Sequence, residues 1–124
     1  MSVEKRNPLW LTFCVAAVVL VGGCVSATYV PTQSVVYPSA DRDCEIEIFS
    51  SALPDQEYEE IGIVEGQGKA WKSDLADIMP ELKGEGCAAG GDALIIETAN
   101  TFAVGEEGTR VQRISATVIR WKSR

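Results

Sequence analysis

The chain has 124 residues, a formal net charge of −7 and no histidine. This length holds one small domain, and its acidic balance argues against nucleic acid or anionic lipid as ligand. Without histidine it lacks the usual general base and the commonest metal ligand, which excludes Ser-His-Asp and Cys-His catalysis.

Residues 1–23 read as a leader. Lys5 and Arg6 precede an apolar run from Leu9 to Val21, and Gly22 and Gly23 supply small residues at a cleavage point. A positive start, a short apolar middle and small residues before the cut are the parts of a secretory signal peptide. The run is shorter than the roughly 18 apolar residues a membrane span needs. Leu20-Val21-Gly22-Gly23-Cys24 resembles the lipobox of bacterial lipoprotein signals. That resemblance implies cleavage before Cys24, a diacylglycerol on its thiol, and an acyl chain such as palmitate on the new amine. Two or more chains anchor a protein stably, whereas one does so marginally. Val25 stands where an aspartate would favour the inner membrane, so the resemblance implies the periplasmic face of the outer membrane. Residues 1–23 carry Glu4, Lys5 and Arg6, so removing their net +1 from −7 leaves −8 on the mature chain.

Residues 24–41 read as a lipidated terminus and tether. Pro31 and Pro38 among many Ser and Thr suggest an extended linker. In a polyproline-like state it would reach on the order of 50 Å, clear of the lipid headgroups. Tyr29, Val30, Val35, Val36 and Tyr37 are more apolar than a spacer needs, and suggest that this segment docks on the domain or adds a strand to it.

Residues 42–124 read as the globular domain. Cys44–Phe49 alternates as a strand with Cys44, Ile46 and Ile48 inward. After a turn over Ser50–Pro54, Tyr58–Glu65 is a second strand, with Ile61 and Ile63 on one face and Val64 on the other. Gly66-Gln67-Gly68-Lys69 is expected to end it. Ser73 or Asp74 can cap a helix whose apolar positions are Leu75, Ile78, Met79 and Leu82. Pro80 predicts a kink or a break, and Gly84 and Gly86 a close approach to the sheet. Gly90 and Gly91 stop the helix. Asp92–Thr98 reads as a buried strand, Gly105–Gly108 as a turn and Arg110–Trp121 as the last strand, with Ile114, Ala116 and Val118 inward. The order β-β-α-β-β predicts an α+β domain: a mostly antiparallel sheet of about four strands with one kinked helix on one face.

Loss of Cys14 with the leader and acylation of Cys24 leave Cys44 and Cys87. An even pair in an oxidising envelope compartment reads as a disulfide, stapling the helix to the first strand. A redox or metal-thiolate role would call for a CxxC pair or a nearby histidine.

Cys44–Phe49, Pro54 with Tyr58, Ile61–Val64 and Cys87–Ile96 resemble small bacterial envelope lipoproteins of unknown function. The layout is similar to that of the Rcs stress-sensor lipoprotein and the YbjQ-like family, over Asp43 to about Trp121. The resemblance implies an envelope-stress sensor or a metal-binding domain. The Rcs sensor has two disulfides where this chain has cysteines for one. The metal-binding label of YbjQ-like proteins finds no histidine or free thiol pair here.

Other motifs are weaker. Gly66-Gln67-Gly68-Lys69 lacks the earlier glycine and the following Ser or Thr of a phosphate loop, with Ile63 and Ala70 in their places, and reads as a surface turn. Asp55, Glu57, Glu59 and Glu60 lack EF-hand spacing and read as a solvated loop. Asp74, Asp77 and Glu81 suit the positive end of a helix dipole. Trp71 and Trp121 are candidate binding anchors, with core or edge packing as the simpler role. The expected protein is therefore non-catalytic, with no catalytic residue, metal or cofactor. It is lipidated at Cys24, stapled through Cys44 and Cys87, and partnered by the membrane and by another envelope protein. A stress sensor and a small-ligand or metal-binding domain are the alternatives.

Overall fold

The computed structural model describes residues 25–123; the leader and Cys24 lie outside them. Five strands and one helix follow in the order β1 (Val25–Pro31), β2 (Glu47–Phe49), β3 (Tyr58–Lys69), α1 (Leu75–Ala88), β4 (Ala93–Val104) and β5 (Thr109–Trp121). The sheet order is β1-β3-β5-β4-β2. All pairings are antiparallel except β2 with β4. The class is α+β as the sequence implied, but the sheet is mixed and has a fifth strand.

That strand comes from the segment read as tether. Val25–Pro31 pairs with β3 from Val25 opposite Gly68 to Pro31 opposite Gly62. Val25, Ala27 and Tyr29 alternate with the exposed Ser26, Thr28 and Val30, and the first three pack on the core. Period-2 burial is what a strand with one covered face requires. Pro31 ends β1 at the sheet edge, where a missing N–H costs no ladder bond.

The first expected strand is cut to Glu47–Phe49, because β4 offers it only Ala93–Ile95 as partners. Ile46, just before it, is still buried. β3 runs four residues past its expected end at Glu65, through Gly66 and Gly68. A Cβ on Gly66 would lie 2.7 Å from side-chain carbons of Ile78 and Leu82, and one on Gly68 would meet the carbonyl of Lys72. These glycines therefore let α1 and the turn before it sit on the strand, rather than ending it. The expected facing of Ile61 and Ile63 is also corrected. An irregularity between Glu60 and Gly62 shifts the register against β5. A bulge of one residue reverses the side-chain parity, so Ile61 and Val64 are buried and Ile63 is 44% exposed.

Asp74 is the N-cap of α1, with no side-chain capping bond. Ser73 instead donates its hydroxyl to the carbonyl of Ala70. Pro80 does not divide the helix, which runs through it from Leu75 to Ala88. Pro80 and Ala76 are both exposed, so water can satisfy the Ala76 carbonyl that loses its partner. Ile78 and Leu82 are fully buried, and Gly86 passes against Ile46 and Leu94. At the C-terminus Gly90 donates to Cys87 and Gly91 to Gly86, with Gly90 at φ +83, the pattern of a Schellman cap.

The main core lies between α1 and the sheet, and includes Val64, Leu94, Ile114, Ala116 and Val118. A smaller cluster on the opposite face joins Ala93, Ile95 and Ile119 to Phe49, Tyr58 and Trp121. Cys44 and Cys87 form the expected disulfide, with Cα atoms 6.0 Å apart.

Candidate functional site

Three surfaces stand out, each produced by how α1 lies on the sheet. The helix packs mainly on β1 and β3 and barely reaches β4. The first surface is therefore a bare arm. Past the bulge between Ile96 and Thr98, β4 continues to Val104 paired only with β5, and every residue from Glu97 to Val104 is exposed. β2 covers its other edge only at Ala93–Ile95. The stretch from Thr98 to Val104 carries no charge. An uncharged edge with unpaired backbone groups is a template for an added strand. Arg113 lies 5.3 Å from the centre of the Phe102 ring and bonds Gln67, which fixes one face of the arm.

The second surface is a strap, residues 32–43, running from β1 across the C-terminal end of α1. The guanidinium of Arg120 lies 4.2 Å from the Tyr37 ring and donates to the Gly90 carbonyl. The Tyr37 hydroxyl donates to Glu59, 3.1 Å away, and Ala40 donates its N–H to the Cys87 carbonyl. Arg42 reaches Glu85 at 3.0 Å and Glu81 at 3.4 Å. Desolvation first, then the hydrogen bond and charge of Glu59, push the Tyr37 hydroxyl above its usual 10.0, with Arg120 opposing. Burial raises Tyr29 too, followed by the nearby Tyr37. Tyr29 and Tyr37 line a groove of about 410 Å³ against Ala88, the last residue of α1, and its cap Ala89.

The third surface is the end of the sheet where β1 begins. After Lys69 the chain turns through Ala70, a non-glycine residue at φ +54, into a 3-10 turn over Ala70–Lys72. Trp71 is 70% exposed there and Leu75 is 49% exposed.

A scan against known protein families finds no match, and a search of curated proteins finds no relative. A solved structure shares the fold. It is the orthorhombic crystal form of the Francisella virulence factor FvfA, at 16% identity and a TM-score of 0.52. The match covers 75% of this chain and 97% of that one. At that identity the likeness is one of fold alone.

The acidic residues singled out by sequence do not converge. Asp74 pairs with Arg110, Asp77 with Lys72 and Glu81 with Arg42. Glu59 holds Tyr37, and Glu60 is exposed beyond it. Among the described residues no three His, Cys, Asp or Glu side chains gather where an ion could sit. Of the two tryptophans singled out as anchors, Trp121 packs edge-on against Phe49 at 6.1 Å, while Trp71 is 70% exposed. Sequence reasoning passed over Arg120 and Phe102. Arg120 carried a signal, since a lone charge in the apolar run Val118-Ile119-Arg120-Trp121 implies a buried partner. Phe102 carried none, because its exposure follows from the register, which pairs it with Val111 on the sheet face away from α1.

Proposed function

We propose that this is a lipid-anchored protein of the bacterial cell envelope, held at the periplasmic face of the outer membrane through Cys24. Its domain is non-catalytic and binds an extended segment of another envelope protein along the edge of β4. The observation that carries the binding reading is the bare, uncharged edge from Thr98 to Val104. The Cys44–Cys87 disulfide supports an oxidising compartment, because structural disulfides rarely persist in a reducing cytosol.

The test is site-specific photo-crosslinking in cells from Thr101 on the arm, with Glu65 on the far side of the sheet as control. A discrete adduct is expected from Thr101 alone. It should disappear when Ala99→Lys and Ala103→Lys charge the edge while the domain keeps its melting temperature. Adducts independent of position, or insensitive to the charged edge, would remove the reading.

A small-ligand reading is favoured by the groove beneath the strap, where Tyr29, Val35 and Tyr37 face α1. It expects heat on titration with a small apolar solute, abolished by filling the groove with Ala89→Trp.

A further inference from the structure

A tether of residues 24–41 would hold the domain away from the bilayer, but the described chain has no such slack. Val25 is already a paired strand residue opposite Gly68. Cys24 is the residue before it, one Cα–Cα step of about 3.8 Å away. On the reading that Cys24 is acylated, the acyl chains therefore begin within a few ångströms of a folded sheet edge. Whatever lies at that end of the domain must meet the membrane.

That end carries interfacial chemistry. Gly68 leads directly into Lys69, Ala70, Trp71 and Lys72, and the Lys72 backbone folds back against Gly68. Trp71, at 70%, is the most exposed aromatic among the described residues, and Leu75 in the first turn of α1 is 49% exposed. Tryptophan is suited to the headgroup layer, with an apolar ring and a polar N–H. The charges around it largely cancel. Lys72 lies 3.9 Å from Asp77, Arg110 lies 3.6 Å from Asp74, and Lys69 adds a positive charge. The strongly acidic surface elsewhere is thus interrupted at this corner. Glu106 and Glu107, on the turn joining β4 to β5, extend past the same end but two or three strands away from β1. The turn that carries Trp71 touches β5, and Arg110 of β5 reaches Asp74, so the seat spans the starts of β1 and β5 and the end of β3, with these two carboxylates at its border.

We propose that this corner is a membrane-docking surface: Trp71 and Leu75 insert into the headgroup layer of the bilayer that holds the Cys24 anchor, and the domain sits on the lipid. The proposal rests on the lipoprotein reading, and it assigns Trp71 a role that the core does not give it.

The mature chain would retain two tryptophans, Trp71 and Trp121. Trp121 pairs with Tyr58 at the opposite end of β3 and β5, about 35 Å from the corner at ~3.3 Å per strand residue. The molecule therefore carries its own control. Mature protein purified with its native modification would be placed in phosphatidylethanolamine–phosphatidylglycerol vesicles containing lipids brominated along the acyl chains. In a Trp121→Phe background, Trp71 emission should shift to the blue and be quenched. In a Trp71→Phe background, Trp121 emission should be unchanged. Mass spectrometry of the Cys24 peptide reports the anchor separately. Acylated, vesicle-bound protein with solvent-like, unquenched Trp71 would overturn the docking surface and leave the anchor standing; it would mean that β1 peels away to act as a tether. Unmodified Cys24 would overturn both. Substituting Leu75→Ser and observing weaker quenching of Trp71, with the far-ultraviolet spectrum unchanged, would support the seat.

Discussion

The two ends of β4 are built from one strand but lie in different environments. Ala93–Ile95 sit between β5 and β2, with α1 and the disulfide on one face and the Phe49–Trp121 cluster on the other. From Glu97 to Val104 the same strand has β5 on one side and solvent everywhere else. The difference shows where stability is concentrated and where it is spared. The covered half is fixed by a staple and a closely packed helix. The bare half keeps a ladder of hydrogen bonds and a few contacts to β5, such as Arg113 with Phe102 and Thr117 with Glu97, and its free edge remains open to a partner.

Opening the staple should have the largest effect. Replacing Cys44 and Cys87 by serine removes a cross-link between residues 43 apart in sequence. The chain-entropy cost of a loop that size is about 4 kcal/mol. Urea unfolding should show that loss as a fall in midpoint, and a fall worth less than ~1 kcal/mol would mean the covered half does not depend on the bond.

Next comes the contact between helix and sheet. Leu82 is fully buried against Gly66, and Leu82→Ala should cost about 2–5 kcal/mol. Gly66→Ala places a methyl 2.7 Å from the same side chain and should cost about 1–3 kcal/mol by overpacking. The double variant should be more stable than the sum of the two predicts, because each change makes room for the other. Simple additivity in denaturation midpoints would show that the two do not share a site.

The bare half should respond far less. Phe102→Ala removes an exposed ring and its Arg113 contact, worth no more than about 1 kcal/mol. Amide exchange should be faster from Thr98 to Val104 than in Ile61–Gly68, since only the latter lies under the helix. Equal protection in the two stretches would erase the contrast between the two halves of the sheet.

The smallest effect is on pH dependence. The resolved shifts belong to Tyr29 and Tyr37, both raised above 10.0. A raised value means that the folded state favours the protonated hydroxyl. That contribution is complete below pH 10 and lost as pH rises through the higher folded values. The part of the stability that comes from these two hydroxyls should therefore fall only above pH 10, and Tyr37→Phe should remove its share of that fall. A transition near neutral pH assigned to either tyrosine would contradict this.

Much of the fold is legible in particular residues. The alternation of Cys44–Phe49 and of Ile114–Val118, the spacing of Ile78 and Leu82, and the Gly90-Gly91 stop each report a local rule of strand, helix or cap. The cysteine pair was legible for a different reason, since assigning Cys14 to an expected leader and Cys24 to an expected lipid anchor left Cys44 and Cys87 to each other. The misreadings also have local causes. Val25-Ser-Ala-Thr-Tyr-Val alternates as a strand does, and its apolar residues offered an added strand as an option, yet Pro31 and the Ser and Thr around it read first as linker. Gly66 and Gly68 read as a turn because a glycine that makes room for a helix looks, in one dimension, like a glycine that bends the chain. Ile63 was placed inward because a bulge leaves no mark in the spacing.

The candidate surfaces divide in the same way. Trp71, Tyr37 and the uncharged stretch after Glu97 are present in the chain for any reader. Their exposure is set by pairings between residues far apart: Val25 with Gly68, Tyr37 with Arg120, and β2 reaching only Ala93–Ile95 of β4. Composition and period settle which segments can be strand or helix, because those rules act over a few residues. Which strand is left without a neighbour, and which tryptophan is left without a core, depends on the order β1-β3-β5-β4-β2. That order follows from burying apolar faces contributed by the whole chain at once, and no local pattern encodes it.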